Sequence, residues 1–147
     1  MYYKILLLIN FLGVMLANLL FPGDVKVNVS APGTVEAGQE IVVDLTLNKS
    51  DLSSFARLQQ NLPGGITAEV IKSENAEFTF ENQKVKFIWL KLPAGEVINV
   101  SYKLKINKRL KGDFNLTGSF DYIADNERKS VELSEKAINI TPSPSVD

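Results

Sequence analysis

Any chemistry in this chain of 147 residues would have to use carboxylates, hydroxyls or lysines, because the sequence contains no Cys and no His. Disulfide bonds, thiolate nucleophiles, imidazole acid–base catalysis and ordinary zinc sites are therefore excluded. An enzyme would need a carboxylate pair or a Ser–Lys mechanism, and no spacing in the sequence supports either. We therefore expect a protein that is not an enzyme and that uses no cofactor.

One group of oxygen ligands consists of Asp121, Asp125 and Glu127, with Asn126 between the last two. Calcium takes about six to eight oxygens, and carboxylates on a loop can supply them. The spacing matches no calcium-binding loop, and Asp and Asn are also the usual residues of a tight turn. We expect a solvated hairpin turn and keep calcium as the weaker alternative.

An apolar pair and several lysines indicate a binding surface. The apolar pair is Ile88 and Leu90, which point outward if Trp89 faces the core. The lysines lie on the outward phase of the same strand and of a second strand that could pair with it: Lys84, Lys86, Lys103 and Lys105. An apolar centre with a charged rim is common in protein interfaces. The alternatives are that the segment 51–61 or the C-terminal tail covers the apolar pair, and that the lysines keep the sheet soluble.

The elements that would position these residues are strands. Apolar and polar residues alternate over 41–47, 85–89 and 100–106, and no amphipathic helix follows the N-terminal region. Turn residues recur at the intervals of a β-sandwich, which predicts an all-β sandwich of roughly seven to eight strands with Trp89 buried. The segment 51–61 is ambiguous between a strand and an irregular or helical stretch.

The N-terminus has the layout of an export signal. Lys4 precedes an apolar run over 5–21, which ends at Pro22 and Gly23. The run is longer than a typical signal core and slightly shorter than the roughly 20 residues that span a bilayer. We expect a signal or anchor helix over 1–23, either cleaved or retained. In both cases the body lies outside the cytoplasm, in the periplasm, at the cell surface or tethered to the inner membrane.

Composition limits the partners. The chain has 16 Lys and Arg against 17 Asp and Glu, and this near-neutral balance argues against a dedicated nucleic-acid binder, so we expect no nucleic-acid partner. We expect the sandwich over 24–140, a Pro/Ser-rich tail over 141–147, and membrane contact only through the N-terminal segment if it is retained.

Several turn motifs follow one another in a characteristic order. They are Ala-Pro-Gly at 31–33, Glu-Ala-Gly-Gln at 36–39, Leu-Pro-Gly-Gly at 62–65, the Trp-bearing stretch 85–89 and Leu-Pro-Ala-Gly-Glu at 92–96. Over about 31–131 this order resembles the immunoglobulin-like conserved repeat domain of bacterial and archaeal cell-surface proteins. The resemblance implies a sandwich in a cell-envelope protein and implies no catalytic residues. This chain carries a single such unit, unlike the tandem arrays of that family.

These observations together predict an exported, non-enzymatic module for protein–protein interaction or structural support in the bacterial cell envelope. Its partner would be an envelope or surface protein. The alternative is a carbohydrate-binding surface domain, which needs exposed aromatic side chains. Most aromatic residues fall on the inward phase, and Phe55 and Tyr122 are the two whose phase is uncertain.

Overall fold

The computed structural model describes residues 25–144, and the regular structure in this part of the chain consists of strands alone. The strands are β1 (Lys26–Ser30), β2 (Thr34–Glu36), β3 (Glu40–Asn48), β4 (Ala56–Asn61), β5 (Ile66–Lys72), β6 (Glu77–Glu81), β7 (Lys84–Trp89), β8 (Val97–Ile106), β9 (Gly112–Ala124), β10 (Glu127–Glu132) and β11 (Lys136–Thr141). The all-β expectation is confirmed, with eleven strands in the described range instead of seven to eight.

Two sheets form the sandwich. The smaller sheet has four strands in the order β1-β3-β8-β5. The larger sheet has seven, in the order β2-β11-β9-β4-β7-β6, with β10 paired to β9. Neighbouring strands are antiparallel except for β2 and β11, which run parallel. Within 25–144 no helix is long and apolar enough to cross a membrane, and the predicted signal or anchor helix over 1–23 lies outside the described residues.

Alternation of side chains explains why these segments form strands with one buried face. In β3 the residues Ile41, Val43, Leu45 and Leu47 are buried, while the polar positions between them face outward. The ladder between β3 and β8 extends from Glu40 to Asn48 without a break. Because side chains alternate along each strand, this register places the inward-facing apolar residues of the pair between the two sheets. Val42 is an apolar residue on the outward phase and is 42% exposed.

An aromatic group fills the centre of the core. Trp89 is 1% exposed, as expected from the sequence, and its indole nitrogen donates a hydrogen bond of 2.9 Å to the carbonyl oxygen of Glu74. The ring of Phe87 stacks on Trp89 at 6.2 Å and meets the edge of Phe78 at 5.1 Å. Such contacts add to the apolar area that these large side chains bury.

The ambiguous segment 51–61 contains β4, which lies between β9 and β7 in the larger sheet. Its alternation is interrupted by Gln60, a polar residue that is fully buried. The hydroxyl of Tyr102 donates a hydrogen bond to the side-chain carbonyl of Gln60. Burial raises the pKa of Tyr102, so the hydroxyl keeps the proton that it donates.

The loops gather at two opposite ends of the sandwich. The hairpin end holds the β9–β10 turn and the loops over 49–55 and 90–96, which are joined by hydrogen bonds from the Ser54 hydroxyl to the carbonyl of Ile123 and from the Leu92 amide to the carbonyl of Ser54. The basic end holds the turns over 36–39, 62–65 and 107–111. Because β9 runs from the basic end to the hairpin end, it connects both.

The backbone of β4 approaches β9 closely at Gly118. A Cβ atom placed there would lie 2.0 Å from the carbonyl oxygen of Gln59 on β4. We therefore expect Gly118→Ala to lower the free energy of unfolding by roughly 3 kcal/mol or more, or to prevent folding, because the clash is with backbone. Denaturant unfolding followed by the fluorescence of Trp89 measures this loss.

Gly33→Ala is the matched control, since a Cβ atom at Gly33 meets nothing within 4 Å. Its stability should stay within about 0.5 kcal/mol of the wild type. Equal stability of the two variants would contradict the close approach of β4 and β9.

Candidate functional site

Three exposed apolar residues lie side by side at the hairpin end of the larger sheet. Ala56 on β4 pairs with Trp89 on β7 and with Tyr122 on β9. One residue beyond these pairs stand Phe55, Leu90 and Ile123, which are 40%, 88% and 41% exposed. We call these three residues the apolar patch. The paired strands β4, β7 and β9 position the backbone of these residues.

A charged row lies next to the apolar patch on the same outer face. Arg57 on β4 stands opposite Ile88 on β7 and opposite Asp121 on β9. The guanidinium of Arg57 donates to the Asp121 carboxylate at 2.8 Å, and Arg128 on β10 reaches the same carboxylate oxygen at 3.9 Å. Ile88 is half-buried in this row, so Leu90 is the more accessible member of the predicted apolar pair.

Between the two rows runs a groove of ≈ 290 Å³. Its lining residues are Phe55, Arg57, Asp121, Tyr122, Ile123 and Arg128. Apolar side chains and an ion-paired network therefore share one concave surface. Such a surface can hold an apolar group of a ligand while its polar atoms orient a neighbouring polar group.

The charge of Asp121 is stabilised by its neighbours. Burial alone would raise the pKa of this carboxyl, but hydrogen bonds from Ser130 and Arg57 and the positive charges of Arg57 and Arg128 outweigh burial and lower the pKa. Asp121 is therefore ionised at neutral pH, and two guanidinium groups share one carboxylate. The network keeps one positive charge in excess.

The predicted lysine surface is divided by the fold. The expectation that its two strands pair is wrong, because β7 belongs to the larger sheet and β8 to the smaller one. The two strands present their lysines on opposite outer faces of the sandwich: Lys84 and Lys86 on one, Lys103 and Lys105 on the other. Lys103 lies 3.4 Å from Glu40 and 3.5 Å from Glu69, and both carboxylates raise its pKa. The four lysines therefore form no single rim around Ile88 and Leu90.

The weak calcium candidate is also divided. Asp125 and Asn126 have φ values of 54° and 61°, as in a two-residue hairpin turn. Glu127 pairs with Ala124, so it faces the side of the hairpin opposite to Asp121. Asp121 is held by arginines instead, and the described residues contain no group of three or more acidic side chains that could hold a metal ion.

Sequence reasoning missed three residues of this surface, Arg57, Ile123 and Arg128, and considered Phe55 only as an aromatic residue of uncertain phase. A signal for Arg57 was present, since Arg57, Gln59 and Asn61 alternate with Ala56 and Leu58. Buried Gln60 concealed the period of two, because a polar residue on the inner face does not fit the usual alternation. No comparable signal marked Arg128, whose role depends on the pairing of β10 with β9.

No protein-family model and no curated protein matches the sequence. Solved structures with a similar fold include the major pilin SpaD of Corynebacterium diphtheriae, at 9% identity and a TM-score of 0.61, over 78% of this chain and 35% of the pilin. A non-cellulosomal cohesin of Archaeoglobus fulgidus matches at 17% identity and a TM-score of 0.53, over 79% of this chain and 91% of the cohesin. The CARDB domain of a Pyrococcus furiosus protein, solved in complex with di-metal ions, matches at 11% identity and a TM-score of 0.51, over 84% of this chain and 96% of that domain.

The fold is immunoglobulin-like. This confirms the sandwich that the alternation and the turn motifs predicted. The chain spans about a third of the length of the pilin, 35%. At these low identities the likeness concerns the fold, and the identity of the chain with the conserved repeat domain stays a prediction.

Replacement of Asp121 by Asn tests the charged row. Arg57 would lose its counter-ion while half-buried, and we expect D121N to lower the free energy of unfolding by about 1 kcal/mol at neutral pH. Because the pKa of Asp121 lies below its usual 3.8, the ionised carboxylate stabilises the fold above that value. This contribution is lost as the pH falls through the lowered pKa. The difference between wild type and D121N in urea unfolding should therefore disappear in acid.

Asp125→Asn is the matched control, because Asn also adopts the left-handed backbone of the turn. Its free energy of unfolding should change by less than about 0.5 kcal/mol. A loss of equal size in both variants, or a D121N difference that persists in acid, would contradict the role of this ion pair.

Proposed function

We propose that this protein is an exported, non-enzymatic β-sandwich module that binds a protein partner of the cell envelope through the apolar patch. The observation that carries the proposal is the grouping of Phe55, Leu90 and Ile123 at the hairpin ends of three adjacent strands, with Leu90 88% exposed. Isolated apolar residues are common on protein surfaces, but contiguous groups beside a polar rim are typical of interaction sites.

The described part of the chain does not cover this patch. The segment 51–61, one candidate for a cover, forms β4 within the same sheet instead of lying over it. The other candidate was the C-terminal tail. It follows β11, which ends beside the turn at the basic end, where the amide of Ala37 donates to the carbonyl of Thr141. Within 25–144 the apolar patch is therefore free to contact a partner.

The charged row indicates the chemistry of that partner. Arg57 and Arg128 share the single carboxylate of Asp121, and the side chain of Arg128 is 72% exposed. A partner that places an apolar side chain in the groove and a carboxylate near Arg128 would match both the shape and the excess charge. Burial of the apolar patch would provide affinity, and the arginine would favour one orientation of the partner.

The pilin and cohesin neighbours support an interaction or structural module. The apolar run over 5–21 behind Lys4 supports export to the periplasm or the cell surface. The absence of Cys and His from the sequence supports a role without catalysis.

Site-specific cross-linking in cells tests this proposal. A photo-cross-linking amino acid encoded at position 90 should yield one discrete covalent product, in which this protein is joined to a single partner protein. Phe55→Asp should abolish the product without unfolding the domain, because Phe55 is partly exposed and a buried charge in its place would oppose binding.

Val42 provides the matched control, since it is 42% exposed but lies on β3, in the other sheet. Position 42 should give no such product, and Val42→Asp should leave the product at position 90 intact. The proposal fails if positions 42 and 90 yield the same products, or if Phe55→Asp leaves them unchanged.

A second candidate function is carbohydrate binding, and one observation favours it. Phe55 and Tyr122, the two aromatic residues whose phase was uncertain, both line the groove. Tyr122 packs against the core, where it stacks on Phe120 with ring centroids 5.5 Å apart, so Phe55 is the outward-facing ring of the two. Phe55 beside Arg57 and Asp121 could receive the apolar face of a sugar while the charged groups bond to its hydroxyls.

Leu90 separates the two candidate functions, because it belongs to the apolar patch but does not line the groove. If the ligand is a sugar, Phe55→Ala should weaken glycan binding about tenfold or more, and Leu90→Asp should leave it unchanged. If the ligand is a protein, Leu90→Asp should prevent partner binding as Phe55→Asp does. A glycan array identifies a sugar ligand, and calorimetry then measures its affinity for the full-length wild type and both variants. If no glycan on the array binds, carbohydrate binding is contradicted.

A further inference from the structure

A second charged surface lies at the basic end, at the other end of β9 from the apolar patch. Lys105, Lys108, Arg109 and Lys111 fall between positions 105 and 111, a stretch without an acidic residue. All but Lys105 belong to the connection between β8 and β9. We call this connection, 107–111, the basic turn.

Backbone hydrogen bonds hold the basic turn in one conformation. The amide of Leu110 donates to the carbonyl of Asn107 at 3.1 Å, and the side-chain oxygen of Asn107 accepts from the amide of Arg109 at 2.9 Å. The amide of Asn107 donates to the carbonyl of Gly65 at 3.0 Å, which joins the basic turn to the turn before β5. A ligand that binds there therefore meets cations on an ordered backbone, which reduces the entropy lost on binding.

Two glycines bring the neighbouring turns close to the basic turn. Gly38 and Gly65 have φ values of 90° and 88°, which other residues rarely adopt. A Cβ atom on Gly65 would lie 3.0 Å from the side chain of Leu110, and one on Gly38 would lie 3.3 Å from the Cβ atom of Lys108. The three turns thereby enclose a groove of ≈ 420 Å³, with Lys105, Lys108 and Arg109 in its lining.

The fold does not neutralise these cations. Within 25–144 none of the four has a carboxylate within ion-pair distance, whereas Lys103 on the same strand as Lys105 has Glu40 and Glu69 beside it. Like charges held at one place on a rigid turn repel one another. A ligand with several negative groups would remove this repulsion and release the counter-ions that otherwise collect there.

We propose that the groove beside the basic turn binds a linear polymer that carries phosphate groups. Several cations along one groove favour a ligand with several anionic groups over a single ion. Both kinds of cation present here suit phosphate, since lysine binds it as a point charge and arginine binds it through its planar fork, and three of the four cations are lysines. The groove lining contains no aromatic side chain on which a base could stack, which favours a phosphate polymer without bases over a nucleic acid.

Titration of the full-length protein with inorganic polyphosphate tests this site. The double variant K108Q/R109Q should bind about tenfold more weakly at about 50 mM salt, and the slope of log affinity against log salt should be smaller by about two. The matched variant K26Q/K129Q removes two exposed lysines elsewhere, lowers the net charge by the same amount, and should bind like the wild type. Thermal unfolding of both variants verifies that they are folded.

Several outcomes would overturn the proposal. If the wild type does not bind polyphosphate detectably, the proposal is wrong. If K108Q/R109Q and K26Q/K129Q lose the same amount of affinity, binding depends on net charge and not on the groove. Poly-glutamate that binds as tightly as polyphosphate would overturn the preference for phosphate. Single-stranded DNA that binds more tightly than polyphosphate would identify a nucleic acid as the ligand. Tight binding of polyphosphate alone, lost in K108Q/R109Q, supports the site.

Discussion

The architecture depends on the way β9 is paired along its length. Its first part pairs with β11 and its second part with β10 on one side, while β4 pairs with it on the other. The approach of β4 is so close at Gly118 that only a residue without a side chain fits. β10, β11 and β4 all pair with β9, so the register of β9 determines theirs. If β9 shifted by one residue, its inward-facing side chains would point outward and its outward-facing side chains would point inward.

The same strand explains why the apolar patch can exist at all. Phe120 and Leu116 on β9 are buried in the core, and this burial determines that Asp121 and Ile123 point away from it or lie at its edge. Exposure of Leu90 and Phe55 costs the fold little, because the core beneath is complete without them. The Arg57–Asp121 pair also stabilises this face of the sheet. Both side chains are partly buried, so the removal of either one would leave the other with an unpaired charge, which lowers the free energy of unfolding.

The sequence predicted the parts of the fold in which local pattern and burial agree. β3 and β8 alternate over most of their length, so their apolar faces could be inferred, as could the burial of Trp89 on β7 in the opposite sheet. β4 could not, because Gln60 occupies a core position where its side-chain carbonyl accepts a hydrogen bond from Tyr102, a residue distant in sequence. The pairing of the lysine strands failed for a related reason: alternation shows which face of a strand is outward but not which sheet the strand joins. Asp121 attracted attention as a possible metal ligand, and its actual partners, Arg57 and Arg128, could be recognised only from the register of three strands.

The two candidate sites are separated by the length of β9, which has 13 residues. At about 3.3 Å per residue this distance is roughly 40 Å, well beyond the range over which charges or substitutions usually influence each other directly. The patch uses apolar contact and one excess charge, whereas the groove beside the basic turn uses unpaired cations, so the two surfaces select different chemistry. A partner protein at the hairpin end and an anionic polymer at the basic end would therefore bind independently, and the domain would hold them a fixed distance apart.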